Sequence, residues 1–381
     1  MKLKLTLLLL LSFHTLFAQD SLYARRIVDT LTSPYFWGRG YTNDGVGKAA
    51  RFITNEFKSF GLQPLDGKDF VQSFSYNANI FPGKMKVAIN GIDLKPGRDF
   101  IISPESMGVK AKGHLVQKDS VEFLDSENRI IIQLQNKLTW SVEQQAADYT
   151  AIIVDKKAIT QPPATISVDI ENKLIKDFKT GNICAMVRGT TKPDSFIVLT
   201  AHYDHLGGMG ADTYFPGAND NASGVSQVLS LAKYYAKHPQ RYSMVFICFS
   251  GEEAGLLGSM YFADHPLIPL TNIRFLINLD LEGTGEEGIT VVNATIHLKE
   301  FDLLKNLNTQ GHYLYKVYSR GKAPNSDHYP FTEKGVPAFY MYTMGGIKAY
   351  HDVFDISKTL PLNEYNHLFK LIVDFVGALM K

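Results

Sequence analysis

Cysteine is nearly missing from this chain, with only Cys184 and Cys248 in 381 residues. That scarcity excludes a disulfide-stapled scaffold and any cysteine-built metal knuckle. Both stand in apolar, strand-like runs, "NICAMVRG" and "VFICFS". The pattern leaves open two inert buried thiols or one bridge between adjacent strands. An excess of either charge is missing as well, with 39 basic residues against 38 acidic ones. Electrostatics therefore makes no case for nucleic acid or an anionic membrane surface as partner. Internal repeats and low-complexity tracts are absent, and beyond the N-terminus no run is long and apolar enough to span a bilayer.

What is present begins with "MKLKLTLLLLLSFHTLFAQ". Lys2 and Lys4 precede an unbroken apolar run that ends at Phe17-Ala18-Gln19, the layout of an export signal cut after Ala18. Residues 1–18 are thus expected to be a signal peptide and the mature protein to be periplasmic or secreted. Leu16 is larger than the residue usual three places before a cut, while a permanent anchor would need a longer run. The chain is long enough for one large domain or two modest ones, and its 30 Gly and 16 Pro suggest a loop-rich α/β protein.

Residues 44–64 read as a helix. Ala49, Phe52, Ile53, Phe57 and Phe60 share a face, and Gly61 with Pro64 stops it. From Asn77 the pattern turns to short alternating runs, including "MKVAINGIDL" with an Asn90-Gly91 hairpin signal. "RIIIQLQ", a helical stretch around "SVEQQAA" and "YTAIIVD" follow, so residues 77–176 read as a small β-rich inserted domain. After Lys179 apolar strands alternate with amphipathic helices: "SFIVLTAHYD", "SGVSQVLSLAKYYAKHP", "SMVFICFS", "IRFLINLDLEG", "GVPAFYMYT" and "NEYNHLFKLIVDFVGALM". This order predicts a mostly parallel mixed sheet flanked by helices on both faces.

In such sheets ligands bind beyond the carboxyl ends of the strands. The strand ends here carry metal-suited side chains. His202 and Asp204 follow the first strand, Asp220 lies in "GANDNASG", Glu252 and Glu253 follow the next strand, and Asp280 stands in "NLDLEG". His351, in "AYHDVFD", comes after the last strand. Adjacent carboxylates at the mouth of a buried run cost desolvation unless a cation meets them. Imidazole and carboxylate together suit zinc.

In that order, "TAHYDHLG", "GANDNASGV", "FSGEEAGLLGS", "NLDLEG" and "AYHDVFD" resemble the co-catalytic two-zinc exopeptidases of clan MH, typified by bacterial leucine aminopeptidases. The resemblance covers residues 30–76 and 177–381, so residues 19–76 and 177–381 are expected to form the catalytic domain. Residues 77–176 look like the protease-associated insert of many members, through strand–helix–strand order alone. The resemblance implies release of N-terminal residues from peptides with a free N-terminus, using two zinc ions.

By position, His202 and Asp280 would hold one zinc, Glu253 and His351 the other, and Asp220 would bridge them. Asp204 would accept the remaining ring N–H of His202 and fix its tautomer. Glu252 would be the general base toward a metal-bridging water, and Tyr350 a hydrogen-bond donor to the oxyanion. His328, in "NSDHYPF", also lies in a family-like motif, but the family's ligating histidine falls in the later segment. That makes His351 the ligand and leaves His328 beside the substrate or behind a ligand. His205, His238, His265, His297, His312 and His367 are expected in surface or loop settings without a role.

Carboxypeptidases and dipeptidases of the same scaffold share these ligands and are the alternative. Glutaminyl cyclases, single-zinc acyltransferases, reuse the set too, but tend to carry Asp where Ser250 stands and lack "AGLLGS". A non-catalytic exported binding protein would be expected to have lost a ligand or the base, and none is lost here.

Overall fold

Strands that are apolar on both sides need a covering layer on each face. A computed structural model describes residues 21–381; the expected signal peptide, residues 1–18, lies outside the described residues. Its main sheet contains β1 (Val71–Ile80), β2 (Lys173–Val187), β3 (Lys192–His202), β4 (Tyr242–Phe249), β5 (Ile273–Leu279), β6 (Gly288–Val292), β7 (Val317–Ser319) and β8 (Ala338–Met344). Including the short strand Gln63–Pro64, it has nine strands. The order runs Gln63–Pro64, β2, β4, β3, β5, β8, β6, β7, with β1 paired to β2. The central β4, β3, β5 and β8 are parallel. β2 runs antiparallel to β4, and β6 antiparallel to β8. The expected mixed sheet is therefore observed, parallel at its centre and with antiparallel pairings to either side.

Helices cover both faces. On one lie α1 (residues 21–31), α2 (Gly45–Ser59), α3 (Gly224–Lys237), α5 (Leu298–Gly311) and α7 (Tyr365–Leu379). Ala49, Ile53 and Phe57 recur every fourth residue along α2 and are wholly buried in the same core as Leu199, Phe246 and Ile277. Each large apolar side chain so buried contributes roughly 1.5–3 kcal/mol. The helix ends at Phe60, one place before Gly61, whose φ of 80° suits glycine. On the opposite face α4 (Leu257–Asp264) and α6 (His328–Glu333) pack Phe262 and Phe331 against Val198, Val245 and Phe249.

The two cysteines stand on neighbouring strands but on opposite faces. Ile183 is the register partner of Cys248, and Ile247 that of Cys184. Cys248 belongs to one core and Cys184 to the other, and both are free and buried. Side chains one residue out of step on adjacent strands point apart, so no bridge forms.

Between β1 and β2 the chain builds a five-stranded and a four-stranded sheet around a core of their own. Asn90 and Gly91, with φ of 51° and 79°, make the expected hairpin turn between Met85–Ile89 and Ile92–Leu94. Leu206, Met209 and Phe215 join this core, which ties it to the loop after β3. The helix expected around "SVEQQAA" is not formed, and those residues are irregular. Their polar groups reach outward instead: the Glu143 carbonyl accepts from Asn79 N–H at 2.8 Å, and Gln144 Nε2 donates to the Ala254 carbonyl at 3.1 Å. Among the described residues no helix is long and apolar enough to cross a membrane.

Candidate metal centre

Register brings the donors to one edge. His202 ends β3 opposite Phe249, the end of β4, and Asp280 directly follows β5. Past β4 the chain turns sharply at Gly251, with φ of 74°, and delivers Glu252 and Glu253 above the sheet. Gly258 lets α4 close over this turn, since a Cβ there would stand 2.1 Å from the Ser250 carbonyl oxygen. Asp220 sits in the turn before α3. Its N–H and that of Asn219 are both held by the Asp355 carboxylate, at 3.0 and 2.9 Å.

The donor atoms converge around Asp220. His202 Nε2 lies 3.3 Å from Asp220 Oδ1 and 3.4 Å from Asp280 Oδ1. His351 Nε2 lies 3.0 Å from Asp220 Oδ2 and 3.1 Å from Glu253 Oε2. Donors about 2.0–2.1 Å from a tetrahedral zinc are separated by about 3.3–3.4 Å. The His202 separations therefore fit shared ligation better than direct hydrogen bonds, whose usual length is about 2.9 Å. Asp280 Oδ1 is buried with no hydrogen-bond donor, an orphan expected where a cation belongs. Its other oxygen accepts from Ser326 Oγ at 3.1 Å, part of a buried chain through Asn278 and Thr200 that fixes the carboxylate. The residues present thus fit a metal.

The adjacent glutamates are shifted in opposite directions. Burial, reinforced by the nearby Asp327, Glu253 and Asp280 charges, raises Glu252 well above the usual carboxylate range. Glu253 is buried too, but His351 and His205 outweigh that and hold it at about 2. Two carboxyls with divergent basicity in one site suit one proton carrier and one permanent anion. Glu252 Oε2 stands 4.0 Å from His202 Nε2.

Asp204 is placed differently from the expectation. The His202 Nδ1 atom faces the Asp204 main-chain oxygen at 3.1 Å, while the Asp204 carboxylate is 3.9 Å away. That carboxylate accepts the N–H groups of Glu252 and Glu253, at 3.2 and 3.4 Å, which the tight turn leaves without other acceptors. Burial pushes it up to about 7. Tyr350 is half-exposed and stacks on His351, ring centroids 4.0 Å apart. His328 is wholly buried and lies outside the cluster, its ring against Tyr340.

Three neighbours escaped the sequence reading. His205 is fully buried, not exposed, and its Nδ1 lies 2.6 Å from Glu253 Oε1; its place just after Asp204 in "HYDH" was the available signal. Asp355, in the same "AYHDVFD" as His351, is the clamp on the Asp220 turn. Arg39 is fully buried, donates to the carbonyls of Tyr203, Pro216, Gly217 and Asp220, and sits in no motif. A cavity of about 500 Å³ opens over the cluster.

A helix-flanked mixed sheet with an imidazole–carboxylate cluster at its carboxyl edge is the architecture of an α/β metallopeptidase. The peptidase family M28 model matches residues 182–376, and the chain belongs to that family. Among curated proteins it is similar to a probable zinc metalloprotease of Leptosphaeria maculans, 37% identical over 28% of this chain. It is also similar to aminopeptidase YwaD of Bacillus subtilis, 32% identical over 38% of this chain. The matched part spans 26% and 31% of those relatives' own lengths. The fold is that of a zinc aminopeptidase structure from Bacillus subtilis, with TM-score 0.68, 20% identity and 93% of each chain covered. An M28 peptidase precursor from Shewanella amazonensis superimposes with TM-score 0.70 and 16% identity over 95% of this chain and 94% of that one.

Proposed function

We propose that the protein is an exported two-zinc aminopeptidase that removes N-terminal residues from peptides. The observation that carries this reading is the division of Asp220, one oxygen toward His202 and the other toward His351. His202 and Asp280 would hold one ion, Glu253 and His351 the other, and Asp220 both. Zinc matches these donors, and when bound it polarises a carbonyl and acidifies water.

The remaining work falls to the chain's own groups. Glu252 takes a proton from the attacking water and delivers it to the leaving amine as the C–O bond forms and the C–N bond breaks. Its raised basicity favours acceptance of that proton. The Asp204 carboxylate, bonded to both glutamate N–H groups, fixes the base relative to its ligand neighbour. Tyr350 offers its hydroxyl to the developing oxyanion from beside His351. The acidic lining of the cavity suits a substrate with a free α-ammonium group. Residues 77–176 serve as a protease-associated-like insert.

The test is Glu252→Ala in the purified mature protein. It should retain bound zinc while hydrolysis of Leu-p-nitroanilide falls by about 10³-fold or more. Near-normal turnover would sink the base assignment. Equal hydrolysis of an N-acetylated substrate would sink the aminopeptidase reading.

A further inference from the structure

The cavity over the donor cluster is also lined by one group of opposite charge, Arg320. Tyr340 and Tyr342, two places apart on β8, project to the same face, with ring centroids 5.3 Å apart. They lead from the cluster to Arg320, which directly follows β7 and donates from Nη1 to the Tyr342 hydroxyl at 3.3 Å. Among the described residues Arg320 is the only lysine or arginine lining the cavity, and no carboxylate pairs with it. Its side chain is exposed, and most of its donors remain available.

A Leu-like side chain gains nothing from such a group, and covering a guanidinium with hydrocarbon costs desolvation. A carboxylate would gain a charge-assisted, two-pronged pair, the geometry in which arginine exceeds lysine. Elsewhere the cavity bears Asp220, Glu252, Glu253 and Asp280, so away from the histidine–carboxylate cluster Arg320 is the one cationic side chain an anionic group meets. We propose that Arg320 is a specificity residue receiving a substrate carboxylate, so that the cavity selects molecules with an acid group opposite their free amine. This rests on the reading of the cluster as a peptidase centre. The acid has two sources: the side chain of an N-terminal Asp or Glu, or the C-terminus of a dipeptide.

The experiment is calorimetric binding to zinc-loaded protein made turnover-silent by Glu252→Gln, alone and combined with Arg320→Gln or Arg320→Lys. One pair of probes is glutamate α-amide against glutamine α-amide; the other is Leu-Gly against Leu-Gly amide. In at least one pair the acid should bind about tenfold tighter than its neutral partner, and the pair that shows it identifies the source. Arg320→Gln should reduce that contrast to about twofold or less, and Arg320→Lys should retain part of it. Absence of contrast in both pairs, or contrast that survives Arg320→Gln, overturns the proposal. Contrast that persists in a protein whose Glu252-containing form cleaves no peptide would uphold the carboxylate site and sink the peptidase reading alone.

Discussion

The Nδ1 atom of His351 lies 2.9 Å from the carbonyl oxygen of Trp140, and the Trp140 N–H donates to the His351 carbonyl, also at 2.9 Å. One residue of the inserted segment thus clasps a candidate ligand at both its ring and its main chain. A proton held on Nδ1 by that carbonyl leaves Nε2 with the free lone pair a metal needs. Trp140 is itself anchored, donating from Nε1 to the Ile102 carbonyl at 2.7 Å and packing on Phe215 at 4.6 Å. Trp140→Ala should remove that anchor and weaken zinc affinity about 10-fold or more, read by competition with a chromogenic chelator. Trp140→Phe keeps the packing and should stay within about threefold. Unchanged affinity in a folded Trp140→Ala protein would show that the insert does not support the centre.

Arg39 joins the segment before α2 to both donor-bearing loops. Its guanidinium reaches the carbonyls of Tyr203, after His202, and of Pro216, Gly217 and Asp220 in the turn before α3. Burial lowers it to about 10, against the pull of Asp220 and Asp355, so it remains charged at neutral pH. Lysine keeps the charge but cannot present the same fork. Arg39→Lys should therefore leave buried carbonyls unpaired and cost about 3 kcal/mol in denaturant unfolding, with a loss of bound zinc. A cost below about 1 kcal/mol would mean that water replaces the guanidinium freely.

The parallel strands were legible because their apolar runs are long and bounded by helix patterns, and His202, Asp220, Glu253, Asp280 and His351 because each follows such a run or sits in a sharp motif. What escaped depends on long-range contact. Arg39 occupies an irregular turn, and only folding shows that four of its five carbonyl partners lie more than a hundred residues away, 164 in the case of Tyr203. His205 looked like a loop histidine because burial of a loop by an inserted core leaves no periodic trace. "SVEQQAA" carries helix-forming residues, yet its backbone groups find partners at Asn79 and its side chains at Ala254, so tertiary bonding overrides local propensity. The orientation of Asp204 turned on which buried donors lacked other acceptors, which spacing does not reveal.

Removal of one oxygen pair tests the shared centre most directly. Asp220, Glu252, Glu253 and Asp280 crowd one cavity wall, and without cations their repulsion opposes folding. Each zinc held at about a hundred times its dissociation constant would add about 2.7 kcal/mol of stability. Chelation should accordingly lower the Tm of the native protein by several degrees, at about 1–1.5 °C per kcal/mol for a chain of this size. In Asp220→Ala the ligand common to both ions is gone, so elemental analysis should find the zinc content reduced from about two per chain toward one or none. The same substitution also relieves part of the repulsion. The metal-free variant is thus expected to melt no lower on that account, and the response to chelator should flatten. Full zinc content with an undiminished chelator response in Asp220→Ala would require the ions to be held without it, and the division of its oxygens between His202 and His351 would then have no bearing on metal binding.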